Sequence, residues 1–162
     1  LRTGDQAELV KGRIRLMGRL KEIIVTSTGE KLSPADLELA LLADPLIEQI
    51  MVFGDHRPNV GAIAVLNAEN WALFAAENGW DATDTATLRQ PVVVQTLLKR
   101  IQALSMDFPS YAQPRVLLLT TEPWSVENQL LTPTMKVKRQ QIMERYADEV
   151  DALYGKRRGL SA

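Results

Sequence analysis

Two apolar, β-branched runs, Ile47 to Phe53 and Val60 to Leu66, stand on either side of the connection Gly54-Asp55-His56-Arg57-Pro58-Asn59, and this arrangement constrains the fold more than any other feature. Glycine, proline, aspartate and asparagine in so short a link predict a turn, so the two runs are expected as neighbouring antiparallel strands. A third strand is expected over Arg115 to Thr120. Between them, Val94, Leu97, Leu98, Ile101 and Leu104 recur at three- and four-residue spacing, which predicts an amphipathic helix after Pro91, closed by Phe108-Pro109. Trp71 to Glu77 reads as a shorter helix.

The N-terminal part adds Ala7 to Val10 and Arg13 to Met17, short strands around Lys11-Gly12 that predict a hairpin. A strand over Ile23 to Thr26 follows. Ser33-Pro34-Ala35-Asp36 then predicts a helix start in which serine caps, proline takes the first turn and Asp36 completes a capping-box-like pattern; the helix should end near Asp44-Pro45. Near the other end, Ile142, Met143, Tyr146, Val150, Leu153 and Tyr154 mark one face of a final helix that Gly155 can end, leaving 156–162 as a frayed tail. Strands with helices interspersed, some joined as hairpins, favour an α+β domain over a doubly wound sheet. Neither glycine-rich phosphate-loop pattern occurs.

With 162 residues, 46% of them hydrophobic, the chain can bury one good core. Its 19 lysines and arginines nearly cancel its 20 aspartates and glutamates, so the overall field gives no reason to expect nucleic acid or an anionic membrane as partner. Trp71, Trp80 and Trp124 are too dispersed to form a stacking platform for bases. No cysteine and a single histidine, His56, exclude thiol nucleophiles, disulfides and Cys/His zinc sites, and His56 reads as a surface residue. No apolar run approaches the roughly 20 residues of a membrane span, and the basic and apolar regions of a signal peptide are missing from the first residues. A cytoplasmic location is therefore expected, with peripheral membrane contact left open. The sequence opens at Leu1 inside a structured segment, so a piece of a longer protein is expected.

The residues that could carry chemistry are few. Lys136 precedes the last helix together with Lys138 and Arg139, where the helix dipole disfavours cations unless an anion is near. These are either a solvated basic edge or a phosphate-facing loop. Arg19 and Lys21 flank a glycine- and charge-rich junction at 18–22, and could equally be an exposed turn pair. Gly29 is either a turn glycine or a place where a ligand approaches the backbone closely. Asp5 either caps a turn or holds a ribose diol.

Three stretches, Arg2-Thr3-Gly4-Asp5, Gly18 to Glu38 and Thr132 to Arg139, resemble in order the ribose-binding, hinge and terminal-lysine motifs of the AMP-forming acyl-CoA synthetases, an adenylate-forming superfamily. Thr-Ser-Thr-Gly-Glu-Lys and Thr-Pro-Thr-Met-Lys-Val-Lys-Arg are most similar to its long-chain fatty acid-CoA ligase branch. The resemblance implies the superfamily's small C-terminal lid domain: a mixed or antiparallel sheet flanked by helices, preceded by a hairpin from the end of the larger N-terminal domain. It divides the chain into 1–20, the end of that domain; 21–155, the mobile lid; and 156–162, the tail. The implied reaction joins a fatty acid to ATP, giving acyl-AMP and pyrophosphate, after which coenzyme A displaces AMP. ATP enters as its magnesium complex, with ligands outside this sequence, and no metal site is expected within it. By resemblance Asp5 and Arg19 contact the nucleotide, Lys21 is the hinge, Lys136 is catalytic and binds the phosphate, and Gly29 lines the coenzyme path. Many members carry glycine where this chain has Met135. An acyl-AMP ligase serving a carrier protein, and a non-catalytic α+β interaction module, are the other readings, and without the N-terminal domain no catalysis is expected.

Overall fold

The computed structural model describes residues 5–10, 13–19 and 23–160, with side chains described for 23–155. At its centre lies a three-stranded sheet of β5 (Ile47–Phe53), β6 (Gly61–Leu66) and β7 (Val116–Thr120) in the order β5-β6-β7. The first pair is antiparallel, as the turn-rich link predicts, while β7 runs parallel to β6. A parallel neighbour requires a crossover, and the helices between residues 66 and 116 provide it.

This mixed sheet is buried on both faces, which is why its strands are apolar-rich, with Glu48 and Gln49 near the start of β5 as the polar exceptions. Ile50, Val52, Ala62, Ala64, Leu117 and Leu119 enter one core. There they meet Leu37 and Leu41 of α1 (Pro34–Leu41), Trp71 and Ala75 of α2 (Ala68–Glu77), and Val93, Leu97 and Ile101 of α3 (Pro91–Leu104). Met51, Phe53, Ile63, Val65, Val116 and Leu118 enter the other, against Trp124, Leu130 and Leu131 and against Ile142 of α4 (Arg139–Arg145) and Val150 of α5 (Ala147–Leu160). Gly61 permits the strands to close up, since a Cβ there would lie 2.5 Å from Val116 Cγ2 and 2.6 Å from Phe53 Cζ.

Two short hairpins complete the described chain. β1 (Asp5–Val10) and β2 (Arg13–Arg19) pair antiparallel around Lys11-Gly12, as expected. β3 (Ile24–Val25) pairs with β4 (Lys31–Leu32), a strand with no signal in the sequence. β3 is fastened to the β5–β6 turn: Val25 N donates to Asp55 Oδ1 at 3.1 Å, His56 N to Val25 O at 2.9 Å and Ser27 N to Arg57 O at 2.9 Å. His56 itself is exposed.

Three local expectations are corrected. Ser33 occupies the N-cap with extended backbone, but its side chain makes no capping hydrogen bond, so Pro34 with its fixed φ starts the helix. The final helix is two: Tyr146, at φ −106° and ψ 16°, separates α4 from α5. Residues four apart drift by about 40° per step around an unbroken helix, and the break keeps Ile142, Tyr146 and Val150 buried on the same sheet face. Gly155 does not end α5, which continues to Leu160. No described helix is long and apolar enough to cross a membrane.

An ion pair ties the turn that follows α1 to α3. Asp44 is buried, and its carboxylate accepts Arg100 Nε at 2.8 Å, Arg100 Nη2 at 2.9 Å and Leu46 N at 3.0 Å. The Arg100 hydrogen bonds hold the Asp44 carboxyl below its ordinary value, although burial acts the other way. The folded state therefore binds this proton more weakly than the unfolded chain does. Its contribution is complete above the unfolded value and is lost as pH falls through the lowered folded value. Asp44→Asn is expected to cost about 1.5–3 kcal/mol at neutral pH, shrinking toward zero below about pH 4. Urea denaturation across pH checks this, and a pH-independent difference would remove the ionised pair as its cause.

Candidate functional site

The residues singled out from the sequence fall into three places. Asp5 and Arg19 are direct partners in the register of β1 and β2, so the hairpin puts these two positions opposite each other. Lys21 lies outside the described residues, as do Arg2, Thr3 and Gly4. Gly29 and Lys136 sit on two separate, ordered loops.

The first loop, residues 26–30, connects β3 to β4. Thr26 is buried at its base, and Ser27, Thr28, Gly29 and Glu30 are exposed. Gly29 has φ +88°, in the left-handed region that favours glycine, and a Cβ there would meet nothing within 4 Å. The glycine thus answers a turn requirement, while the open space around it leaves its backbone accessible from outside. Beside this loop is a cleft of about 210 Å³ lined by Thr26, Thr28, Asn59, Tyr111 and Arg115. Asn59 Oδ1 is buried there without a hydrogen-bond partner among the described residues.

The second loop, residues 132–136, projects from the second core. Trp124 anchors its approach: Gln49 of β5 donates Nε2 to Trp124 O at 3.0 Å and accepts Trp124 N at 2.7 Å. Leu130 and Leu131 are buried beside Trp124, and Leu131 forms an isolated antiparallel bridge with Val137. Between the bridged residues, Thr134, Met135 and Lys136 are exposed. Lys136 Nζ has no ion pair or hydrogen bond among the described residues. Met135 adopts φ +65°, the conformation glycine would take, although it carries a full side chain.

The cations that look alike in sequence are separated by the fold. Arg139, the first residue of α4, donates Nη1 to Glu38 Oε2 at 3.0 Å and Nη2 to Glu38 Oε1 at 2.5 Å. Glu38 is buried on α1, and its Oε2 also accepts Val52 N of β5 at 2.9 Å. Arg139, half-buried, is thus paired with the buried Glu38, and it sets where the lysine loop joins α4. Lys136, exposed, and Lys138, partly buried, make no ion pair among the described residues. Sequence reasoning missed Glu38, although a signal exists: Pro34, Leu37, Glu38 and Leu41 form the buried stripe of α1, and a carboxylate in such a stripe demands a cation. No group of three or more histidine, aspartate or glutamate side chains that could hold a metal ion occurs among the described residues.

The structure thus leaves Lys136 facing solvent on one loop and Gly29, left-handed and exposed, on another. Comparison with known proteins gives it a context. A chloroplastic long-chain-fatty-acid–acyl-carrier-protein ligase of Arabidopsis thaliana is 36% identical over 143 residues, covering 88% of this chain and 18% of the relative. A long-chain-fatty-acid–CoA ligase of Mycobacterium tuberculosis is 32% identical over 160 residues, covering 96% of this chain and 26% of the relative. The chain thus spans about a fifth to a quarter of these relatives' lengths. Among solved structures, the A domain of a carboxylic acid reductase from Segniliparus rugosus, in complex with AMP and a co-purified carboxylic acid, superposes with a TM-score of 0.77 at 27% identity over 95% of this chain and 23% of that one. Residues 21–158 match the family described as AMP-binding enzyme C-terminal domain, and the chain belongs to that family of adenylate-forming enzymes.

Proposed function

We propose that this chain is the mobile C-terminal domain of a ligase that activates a long-chain fatty acid with ATP and passes the acyl group to coenzyme A. The observation that carries the reading is Lys136, an unpaired cation on an ordered, exposed loop whose neighbouring arginine is consumed by Glu38. In the first half-reaction the fatty carboxylate attacks the α-phosphate of ATP and pyrophosphate leaves. Negative charge builds on the phosphoryl oxygens there, and a compact ammonium on a flexible stem can follow it. In the second, the coenzyme A thiol attacks the acyl carbonyl and AMP leaves.

Between the steps the domain turns about Lys21, exchanging the Lys136 loop for the Gly29 loop at the reacting centre. Gly29, bare of side chain, and the neighbouring cleft with Arg115 suit the passage of a pantetheine arm. Asp5 and Arg19, opposite each other in the hairpin, contact the ribose and nucleotide.

The acceptor is the finer part of this reading, because relatives named for coenzyme A and for acyl carrier protein both match. Full-length enzyme supplied with ATP, palmitate and either coenzyme A or a phosphopantetheinylated carrier protein is expected to form acyl-CoA. Thioester on the carrier alone would move the assignment to an acyl-carrier ligase. Absence of palmitate-dependent pyrophosphate release would overturn it.

A further inference from the structure

The two loops are built on the same frame. Thr26 and Thr132 each begin a five-residue unit whose second threonine, Thr28 or Thr134, lies two positions on, and the two hydroxyls meet at 3.0 Å in both loops. The first threonine's Oγ1 accepts the main-chain N–H of the fifth residue, Glu30 at 3.1 Å and Lys136 at 3.0 Å. Its own N–H donates to the fifth residue's carbonyl, at 2.9 Å for Thr26 and 2.8 Å for Thr132. Its carbonyl accepts the fourth residue's N–H, from Gly29 at 2.9 Å and from Met135 at 2.8 Å. The fourth residue is left-handed in each.

The sequence around the frames is unrelated. One lies between two short strands and is tied to the β5–β6 turn; the other lies inside the Leu131–Val137 bridge. Apart from the second residue, Ser27 or Pro133, what differs is the cargo at the fourth and fifth positions, Gly29-Glu30 in one loop and Met135-Lys136 in the other. We propose that Thr26 and Thr132 are positioning residues, each fixing the loop that serves one half-reaction. The inference rests on the two-step reading above. The Thr132 hydroxyl holds the amide of the residue that carries the catalytic ammonium, so it fixes where the lysine stem begins. The Thr26 hydroxyl holds the amide just after Gly29 and so fixes the bare stretch of backbone along which the second substrate passes.

Valine copies the shape of threonine without its hydroxyl. It frees the Lys136 or Glu30 amide, each on an exposed residue where water can replace the lost acceptor, so folding is little affected while the loop loses its fixed geometry. Misplacement of a reacting group by about 1 Å can cost 10²-fold in rate.

In the full-length enzyme, Thr132→Val is expected to slow palmitate-dependent ATP–pyrophosphate exchange at least about tenfold more than thioester formation from supplied palmitoyl-AMP, and Thr26→Val to show the reverse bias. Serine at either position, which restores the hydroxyl, should bring the ratio back within about twofold of wild type, an outcome that a loss of packing alone would not give. Melting temperatures are measured alongside. Equal losses in both half-reactions, wild-type rates in both valine variants, or valine and serine behaving alike would each overturn the proposal. Lys136→Ala in the same assays separates the two levels: if it spares pyrophosphate exchange, the two-step reading itself fails. If it abolishes exchange while Thr132→Val does not, only the positioning role fails.

Discussion

Replacing Lys136 with alanine in the full-length enzyme is expected to slow adenylation by at least about 10²-fold, some 3 kcal/mol of transition-state stabilisation, while leaving thioester formation from supplied acyl-AMP largely in place. The size follows from how the charge is held. The Lys136 amide and carbonyl are both fixed to Thr132, so the charge is delivered from a constrained backbone, and the side chain makes no ion pair among the described residues that would have to be broken. An exposed, unpaired lysine contributes within about 0.5 kcal/mol to folding, so the rate loss should come without a change in melting temperature. Arginine should rescue poorly, because its planar, forked charge cannot occupy the place of a compact ammonium. ATP–pyrophosphate exchange measures the first step and palmitoyl-AMP consumption the second. Equal losses in the two would remove Lys136 from its role.

Arg139→Ala is expected to destabilise the protein by about 3–5 kcal/mol, a large share of the roughly 5–15 kcal/mol that holds a domain folded. Glu38 would then be left buried as a carboxylate with one neutral partner, Val52 N, in place of a two-pronged arginine. Glu38→Gln should cost less than Arg139→Ala, because an amide oxygen still accepts the Val52 amide, and the charge left unpaired belongs to Arg139, whose side chain is 29% exposed and can reach water. The pair joins α1 to the first residue of α4, so the damage should extend to the Lys136 loop and lower adenylation as well. Denaturant midpoints of the variants and of the double variant Glu38→Leu/Arg139→Leu test this. A single-variant loss under about 1 kcal/mol would make the pair a surface ornament of the kind that contributes little.

Much of the candidate site was legible as motif and little of it as mechanism. Gly29 and Lys136 were visible because each stands in a short pattern with a physical reason to be there. Their frame was equally present, as Thr26-Ser27-Thr28-Gly29-Glu30 and Thr132-Pro133-Thr134-Met135-Lys136, yet the strings carry only a resemblance until the hydroxyls are seen to close the same ring of hydrogen bonds. Met135 is a similar case, since nothing in the residue type announces a left-handed backbone. Of the run Lys136, Lys138 and Arg139, the structure withdraws Arg139, whose partner Glu38 is far away along the chain.

Sequence by itself determined the elements whose free energy is local or repetitive: β5 and β6 from apolar-rich runs around a turn, α1 from Pro34, α3 from the spacing of Val94 to Leu104 behind Pro91, and the first hairpin from Lys11-Gly12. Tertiary structure decided the rest. The parallel placement of β7 beside β6 depends on how a long crossover packs, and the break at Tyr146 on what three residues must bury together. Gly155 stays helical because α5 continues past it, whatever its own propensity. The pairing of Arg139 with Glu38 spans 101 positions, and no local pattern could say which of the chain's carboxylates would meet that guanidinium. Burial of apolar surface is nearly additive along a chain and can be read from it, whereas a charge is neutralised only by the particular partner that folding delivers.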